Sequence, residues 1–221
     1  MNEPEHVTLT RIAYDATADL YAEVAGTEIN ETTEASVDRA LLTAFAEIVD
    51  QSGGGTVADV GCGPGRAASY LTARGTNMIG IDPSSAMLEV ARRAHPGITF
   101  ELGTLTSVPV SDRSLAGVVC WYSIIHTPPE SLDSAMAELM RVLAPGGHLL
   151  MALQSGLGEA VHRTDVLGRV VEFTNYRHNP EDIERSLLSV GFTVTSRTTR
   201  AASLPHESTP QTFIFAQSPT S

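Results

Sequence analysis

The chain has 221 residues, 42% of them hydrophobic, and a mean hydropathy near zero, which suits one buried α/β core with extensions. Its 26 acidic residues outnumber 14 arginines, no lysine occurs, and the net charge of −12 argues against a nucleic-acid partner. No apolar run is long enough to span a bilayer and residues 1–10 lack the segments of a secretion signal, so the expectation is a cytoplasmic protein without membrane contact, its Cys62 and Cys120 reduced.

Ile12, Tyr14, Leu20, Tyr21 and Val24 predict a helical N-terminal arm over residues 9–24. A second helix over 35–50 is expected to turn Val37, Leu41, Ala44, Phe45 and Ile48 to the core and to end at Gly53-Gly54-Gly55. A first strand starts at Thr56 and runs through Val57-Ala58-Asp59-Val60 into Gly61-Cys62-Gly63-Pro64-Gly65-Arg66, a turn that opens a helix. Met78 to Ile81 form a second strand with Asp82 at its tip, and Ser84 caps a helix carrying Met87, Leu88 and Ala91 that stops before Pro96. Residues 98–102 read as the third strand and residues 115–121 as the fourth. Leu132, Ala135, Met136, Leu139, Met140 and Leu143 make a stripe at helical spacing, which Pro145-Gly146-Gly147 is expected to end before a fifth strand over 148–153. Residues 154–178 are longer than a simple connection needs and are expected to roof a pocket. Asn179-Pro180-Glu181-Asp182 starts a last helix, Gly191 stops it, and strands over 192–199 and 212–216 follow as a hairpin-like pair.

This alternation predicts an α/β fold, a doubly wound, mostly parallel sheet of seven strands with an N-terminal helical arm. It reads as a single domain of 1–221: an arm or cap at 1–50, a ligand-binding core at 56–153, and a substrate-side segment with the terminal strands at 154–221. The glycine turn marks the site. Glycines at 61, 63 and 65 are expected to remove the Cβ atoms that would hold a ligand off the backbone, and the following helix turns unpaired N–H groups towards the same space. Asp82, about 20 residues beyond the first glycine, is placed to accept from a ribose. A dinucleotide fingerprint would want a third glycine where Arg66 stands.

The GCGPGR turn, with Asp59 before it and Asp82 after it, resembles the first two motifs of the class I S-adenosylmethionine-dependent methyltransferases. Residues 82–88, 121–126 and 141–147 resemble later motifs of the small-molecule, type 11-like members. The likeness is closest over residues 56–153. It implies a Rossmann-like methyltransferase fold and S-adenosylmethionine as cofactor, released as S-adenosylhomocysteine. It also implies that Gly61, Gly63 and the loop backbone meet the amino-acid end, with Asp59 assisting through water, and that Asp82 holds both ribose hydroxyls. Pro83 and Met87 would lie against the adenine, although Met87 reads equally well as core. The family often carries an acid after the third strand; here Gly103-Thr104-Leu105 stands instead, leaving the Thr104 hydroxyl and the Leu105 N–H for the adenine. Trp121 and Tyr122 would line the transfer region. Tyr14 and Tyr21 share one helix face and either close over the cofactor or pack the arm onto the domain.

Methyl transfer needs alignment more than acid–base chemistry. His126, just past the fourth strand, is the best-placed general base, or else a structural histidine bonding a loop carbonyl. Tyr176 and Arg177 are the candidate substrate contacts, Arg66 reads as a solvated residue, and the scattered histidines match no metal-ligand spacing. The leading expectation is therefore methyl transfer from S-adenosylmethionine to an oxygen or nitrogen, or else a sulfur, of a small metabolite by in-line displacement, in a monomer or homodimer. The competing readings are an NAD(P)-dependent oxidoreductase, disfavoured by Arg66 and the missing lysine, and an inactive S-adenosylmethionine-binding module.

Overall fold

The structure, a computed structural model, describes residues 3–221. Among these residues six α-helices and nine strands follow in the order α1 (Glu5–Ala25), α2 (Ser36–Gln51), β1 (Thr56–Val60), α3 (Arg66–Thr72), β2 (Asn77–Asp82), α4 (Ser85–Ala94), β3 (Thr99–Leu102), β4 (Leu115–Trp121), α5 (Leu132–Val142), β5 (Leu143–Gln154), β6 (Glu159–Val166), β7 (Arg169–Arg177), α6 (Pro180–Ser189), β8 (Thr193–Arg200) and β9 (Gln211–Gln217), with two short 3-10 turns between β4 and α5. Seven strands form one sheet in the order β3-β2-β1-β4-β5-β9-β8. The first five are parallel, and β9 runs antiparallel to both β5 and β8.

Alternation along each central strand feeds two cores. Ala58, Val60, Val118 and Leu149 pack with α5 and α6 on one face. Val57, Val119 and Leu150 pack with α2, α3 and α4 on the other. Strands buried on both faces read as nearly unbroken apolar runs, which is why they were legible. The caps are as the residues dictate: Ser84 Oγ accepts from the Met87 N–H at 3.1 Å, and Asn179 Oδ1 accepts from the Glu181 N–H at 3.0 Å.

Three expectations are corrected. In α2 the inward face is Asp38, Leu42, Phe45, Ala46 and Val49, whereas Val37 is exposed and Leu41 and Ile48 lie at the margin. The face is rotated because Asp38, which an apolar pattern would put outside, is fully buried and binds the Arg200 guanidinium through both carboxylate oxygens. Pro145-Gly146-Gly147 lies within β5 rather than before it. Leu143 already pairs with Leu115, and a bulge absorbs the extra residues before His148 pairs with Gly117. Residues 154–178 are not an irregular connection. They fold as an antiparallel hairpin, β6 on β7, with exposed and polar side chains over most of their length and apolar Val171 and Phe173 docked on α1.

Candidate functional site

Parallel strands release their chains at one edge of the sheet, and at that edge the glycine turn meets Asp82. Asp82 Oδ2 accepts from the Gly63 N–H at 2.8 Å and Oδ1 from the Ser84 N–H at 2.8 Å, so one carboxylate ties the loop after β1 to the start of α4. The three glycines have different reasons to be glycine. A Cβ on Gly61 (φ +78°) would lie 2.2 Å from Cβ of Ser123, whose hydroxyl donates to the Val60 carbonyl at 2.6 Å. A Cβ on Gly65 (φ +85°) would meet His95 at 2.9 Å. Gly63 (φ +52°) alone of the three faces open space. The open space expected at all three is found at Gly63; the other two are set by packing.

The open space is a cavity of about 530 Å³, within the range of small-molecule sites. Tyr14, Tyr21, Asp59, Gly61, Gly63, Asp82, Pro83, Met87, Thr104, Leu105, Trp121, Tyr122 and His126 border it. Met87 does so while also packing with Ala18 and Val90. Tyr176 and Arg177 lie outside the wall, contrary to expectation: Tyr176 stacks on His178, and the main chain of Arg177 holds Gly158. Asn175 borders the cavity instead: it and Tyr176 point to opposite sides of β7, and Arg177, on the same side as Asn175, lies one step further along the strand, beyond the wall. Arg66 is not a solvated residue either; it borders the cavity and approaches Glu34 at 3.7 Å.

Burial sets the charges. Asp59 is fully enclosed, and burial pushes its carboxyl up to about 7 although Oδ2 accepts from the Ala68 N–H at 3.1 Å; Oδ1 has no partner. Asp82 is pushed up to about 6 by burial, held there against its two main-chain donors. Glu34 rises to about 7 by burial, opposed by Arg66 and by the Trp121 indole N–H, which donates to it at 3.1 Å. Three carboxylates around one cavity thus sit close to their ionisation point, a state that a cationic ligand would relieve.

His126 differs from expectation in its partner and its basicity. Its Nε2 faces the Tyr14 hydroxyl at 3.1 Å, and burial pulls the ring down to about 4, leaving a neutral and weakly basic imidazole. The histidine that bonds a loop carbonyl is His178, which donates to Ile124 at 3.1 Å. Tyr122 sits directly beyond β4 with φ +61°, a left-handed backbone that costs a non-glycine residue about 1 kcal/mol and sets its ring edge-on to Trp121.

Glu34, Asn175, Gln154 and Gln211 were not foreseen. Glu34 stands in the segment before α2, where sequence offers only a lone acid, and the two glutamines end β5 and begin β9, opposite one another in register. Their meeting needs the antiparallel insertion of β9, which no motif announces. Among the described residues no three His, Cys, Asp or Glu side chains converge as metal ligands, and no helix is long and apolar enough to cross a membrane.

Residues 57–147 match the family described as a methyltransferase domain. The chain is 30% identical over 151 residues to malonyl-[acyl-carrier protein] O-methyltransferase of Erwinia billingiae, covering 63% of this chain and 59% of that protein. It is 37% identical over 112 residues to trans-aconitate 2-methyltransferase of Methylobacterium nodulans, covering 48% and 41%. The chain therefore spans about two fifths to three fifths of the curated relatives it matches. In fold it is similar to magnesium protoporphyrin IX methyltransferase of Synechocystis PCC 6803, with a TM-score of 0.71 at 18% identity over 99% of this chain and all of that one. It is similar also to the [4+2]-cyclase SpnF, with a TM-score of 0.72 at 18% identity over 97% of each chain. The glycine turn fastened to Asp82, the seven-stranded sheet and these matches agree: residues 57–147 carry a methyltransferase domain, and the fold is that of the class I S-adenosylmethionine-dependent methyltransferases.

Proposed function

We propose that the protein transfers the methyl group of S-adenosylmethionine to an oxygen or nitrogen of a small metabolite by in-line displacement. The observation that carries this reading is the Gly63–Asp82 contact of 2.8 Å at the wall of an open cavity, which sets bare main chain beside a carboxylate with lone pairs to spare. In this reading Asp82 holds the ribose hydroxyls, Gly61 and the orphaned Asp59 Oδ1 serve the amino-acid end, Thr104 and Leu105 meet the adenine, and Pro83 and Met87 cover its face. Tyr14, Tyr21, Trp121 and Tyr122 surround the sulfonium, whose charge an aromatic wall favours by about 0.5–2 kcal/mol. Bound there, the cofactor supplies an electrophilic methyl on a good leaving group, so the protein's task is alignment and exclusion of water. No general base is assigned, since His126 is committed to Tyr14 and hard to protonate.

The names of the relatives, an O-methyltransferase and a trans-aconitate methyltransferase, support a small or carrier-bound acceptor. We place the protein in the cytoplasm as a monomer or homodimer. Isothermal titration with S-adenosylhomocysteine and with NAD tests the cofactor, and binding of NAD alone sinks the reading. One protein of the same fold is a [4+2]-cyclase, which makes turnover a separate question. Release of S-adenosylhomocysteine in a panel of hydroxyl, amine, carboxylate and thiol acceptors answers it.

A further inference from the structure

Two opposite charges meet on the cavity wall beside the glycine turn. Arg66 follows Gly65 directly, and Glu34 comes from the segment between α1 and α2. The guanidinium is little used. Its Nη2 stands 3.7 Å from Glu34 Oε1, beyond hydrogen-bond reach, and its Nη1 donates to the Ala25 carbonyl at a long 3.5 Å. Most of its N–H donors are therefore open to a ligand. Glu34 has one oxygen engaged and one open. Oε1 accepts from the Trp121 indole N–H at 3.1 Å, and the little surface the residue keeps, 3%, includes Oε2, which takes no donor among the described residues.

An α-amino acid carries the same two charges in the complementary sense. Its ammonium nitrogen and carboxylate carbon are about 2.5 Å apart by ordinary backbone dimensions, so it can set its carboxylate on Arg66 and its ammonium on Glu34 at once. A lone anion or a lone cation would satisfy only one member of the pair. Other groups able to carry positive charge stand elsewhere around the cavity. His6, in the first turn of α1, lies towards His126, and His206 belongs to the connection before β9. Arg200 reaches the wall only through Glu207 and is held by that residue and Asp38. Arg66 adjoins the turn itself.

We propose that Arg66 and Glu34 form the subsite for the amino-acid end of S-adenosylmethionine, Arg66 receiving its carboxylate and Glu34 its ammonium. This deepens the methyltransferase reading and rests on it, adding two side-chain charges to the main chain of Gly61. The pair selects the intact cofactor over nucleosides that lack either charge. Because Glu34 also holds the Trp121 ring, one carboxylate links the amino-acid subsite to the aromatic wall.

Calorimetry of the whole chain with three matched ligands tests it: S-adenosylhomocysteine, its deaminated analogue, which keeps the carboxylate, and its decarboxylated analogue, which keeps the amine. The parent should bind S-adenosylhomocysteine at least about tenfold more tightly than either analogue. Arg66→Met should remove the preference over the decarboxylated analogue without reducing the affinity for that analogue. Glu34→Gln, whose amide oxygen can still accept from Trp121, should remove the preference over the deaminated analogue without reducing the affinity for it. Arg66→Lys, which keeps a cation, should retain part of the first preference. Three results overturn the proposal while methyl transfer stands: no preference in the parent, a variant that weakens both analogues alike, or a full preference surviving in Arg66→Met, which would move the carboxylate to His6 or His206. Failure of S-adenosylhomocysteine to bind the parent removes the methyltransferase reading and this proposal with it.

Discussion

The Tyr14 hydroxyl lies 3.1 Å from Nε2 of His126 across 112 residues of sequence, and the two rings meet edge-on with centroids 5.4 Å apart. This contact joins the middle of α1 to the turn after β4. Both groups are enclosed, so burial drives the phenol well above its usual range and the imidazole down to about 4, and both stay uncharged. The pair is a clasp on the arm that covers the site.

Tyr14→Phe keeps the ring and deletes the clasp's hydrogen bond. The expected loss is about 1 kcal/mol of stability, the scale for one buried neutral bond. Urea denaturation reads the loss directly, and limited proteolysis should cut α1 sooner in the variant than in the parent. Unchanged cleavage would mean that Phe173 and the rest of the α1 packing hold the arm alone.

Two glycine substitutions should separate packing from ligand clearance. Gly61→Ala must displace Ser123, which would stand 2.2 Å from the new methyl, so a clear drop in melting temperature is expected. Gly63→Ala meets no neighbour and carries only the cost of its left-handed backbone, about 1–2 kcal/mol. The variant should fold, yet S-adenosylhomocysteine should bind it far more weakly in calorimetry. Full affinity in folded Gly63→Ala would move the ligand away from this loop.

Stability should fall as pH rises from acid to neutral. Asp59 titrates ordinarily near 3.8 and is pushed up to about 7 in the fold, so the native state holds its proton more tightly than the unfolded chain. Its contribution is complete below about pH 4 and is lost as pH climbs towards 7, and Asp82 and Glu34 act in the same direction. His126 acts oppositely: its depressed value gives stability that is present above 6.5 and lost as pH falls towards 4. Melting temperatures at acid and alkaline pH should therefore fall less in Asp59→Asn than in the parent. An equal fall in both would show that Asp59 does not take part.

Arg200→Ala leaves Asp38, behind the cavity wall, and Glu207, on it, without their shared cation. Removing one partner of a buried ionic cluster costs about 3–5 kcal/mol, here with Arg200 only 12% exposed and Asp38 not at all. Chemical denaturation should show a loss on that scale. A loss under about 1 kcal/mol would rank the cluster with surface ion pairs.

The parts of the fold legible in sequence are those governed by neighbours along the chain. The buried strands at 56–60 and 115–121, the Ser84 and Asn179 caps, the glycine turn and Asp82 each follow from a short run of residues. What misled was long-range pairing. Asp38 turns α2 inward because Arg200 waits 162 residues away, and Leu143 is already extended because Leu115 pairs with it. The hairpin at 159–177 was hidden because its side chains are mostly exposed, so no burial pattern distinguishes it from a loop.

By itself the sequence determined that a doubly wound sheet forms and that a glycine turn after its first strand meets Asp82 at the tip of the second, because backbone conformation and strand burial are written in local composition. The tertiary structure alone decided which glycine opens to the cavity, that Arg66 and Glu34 face it, and that Asn175 rather than Tyr176 joins its wall. Those outcomes depend on which surfaces the packed elements bring within a few ångströms of each other, and no local pattern encodes that distance.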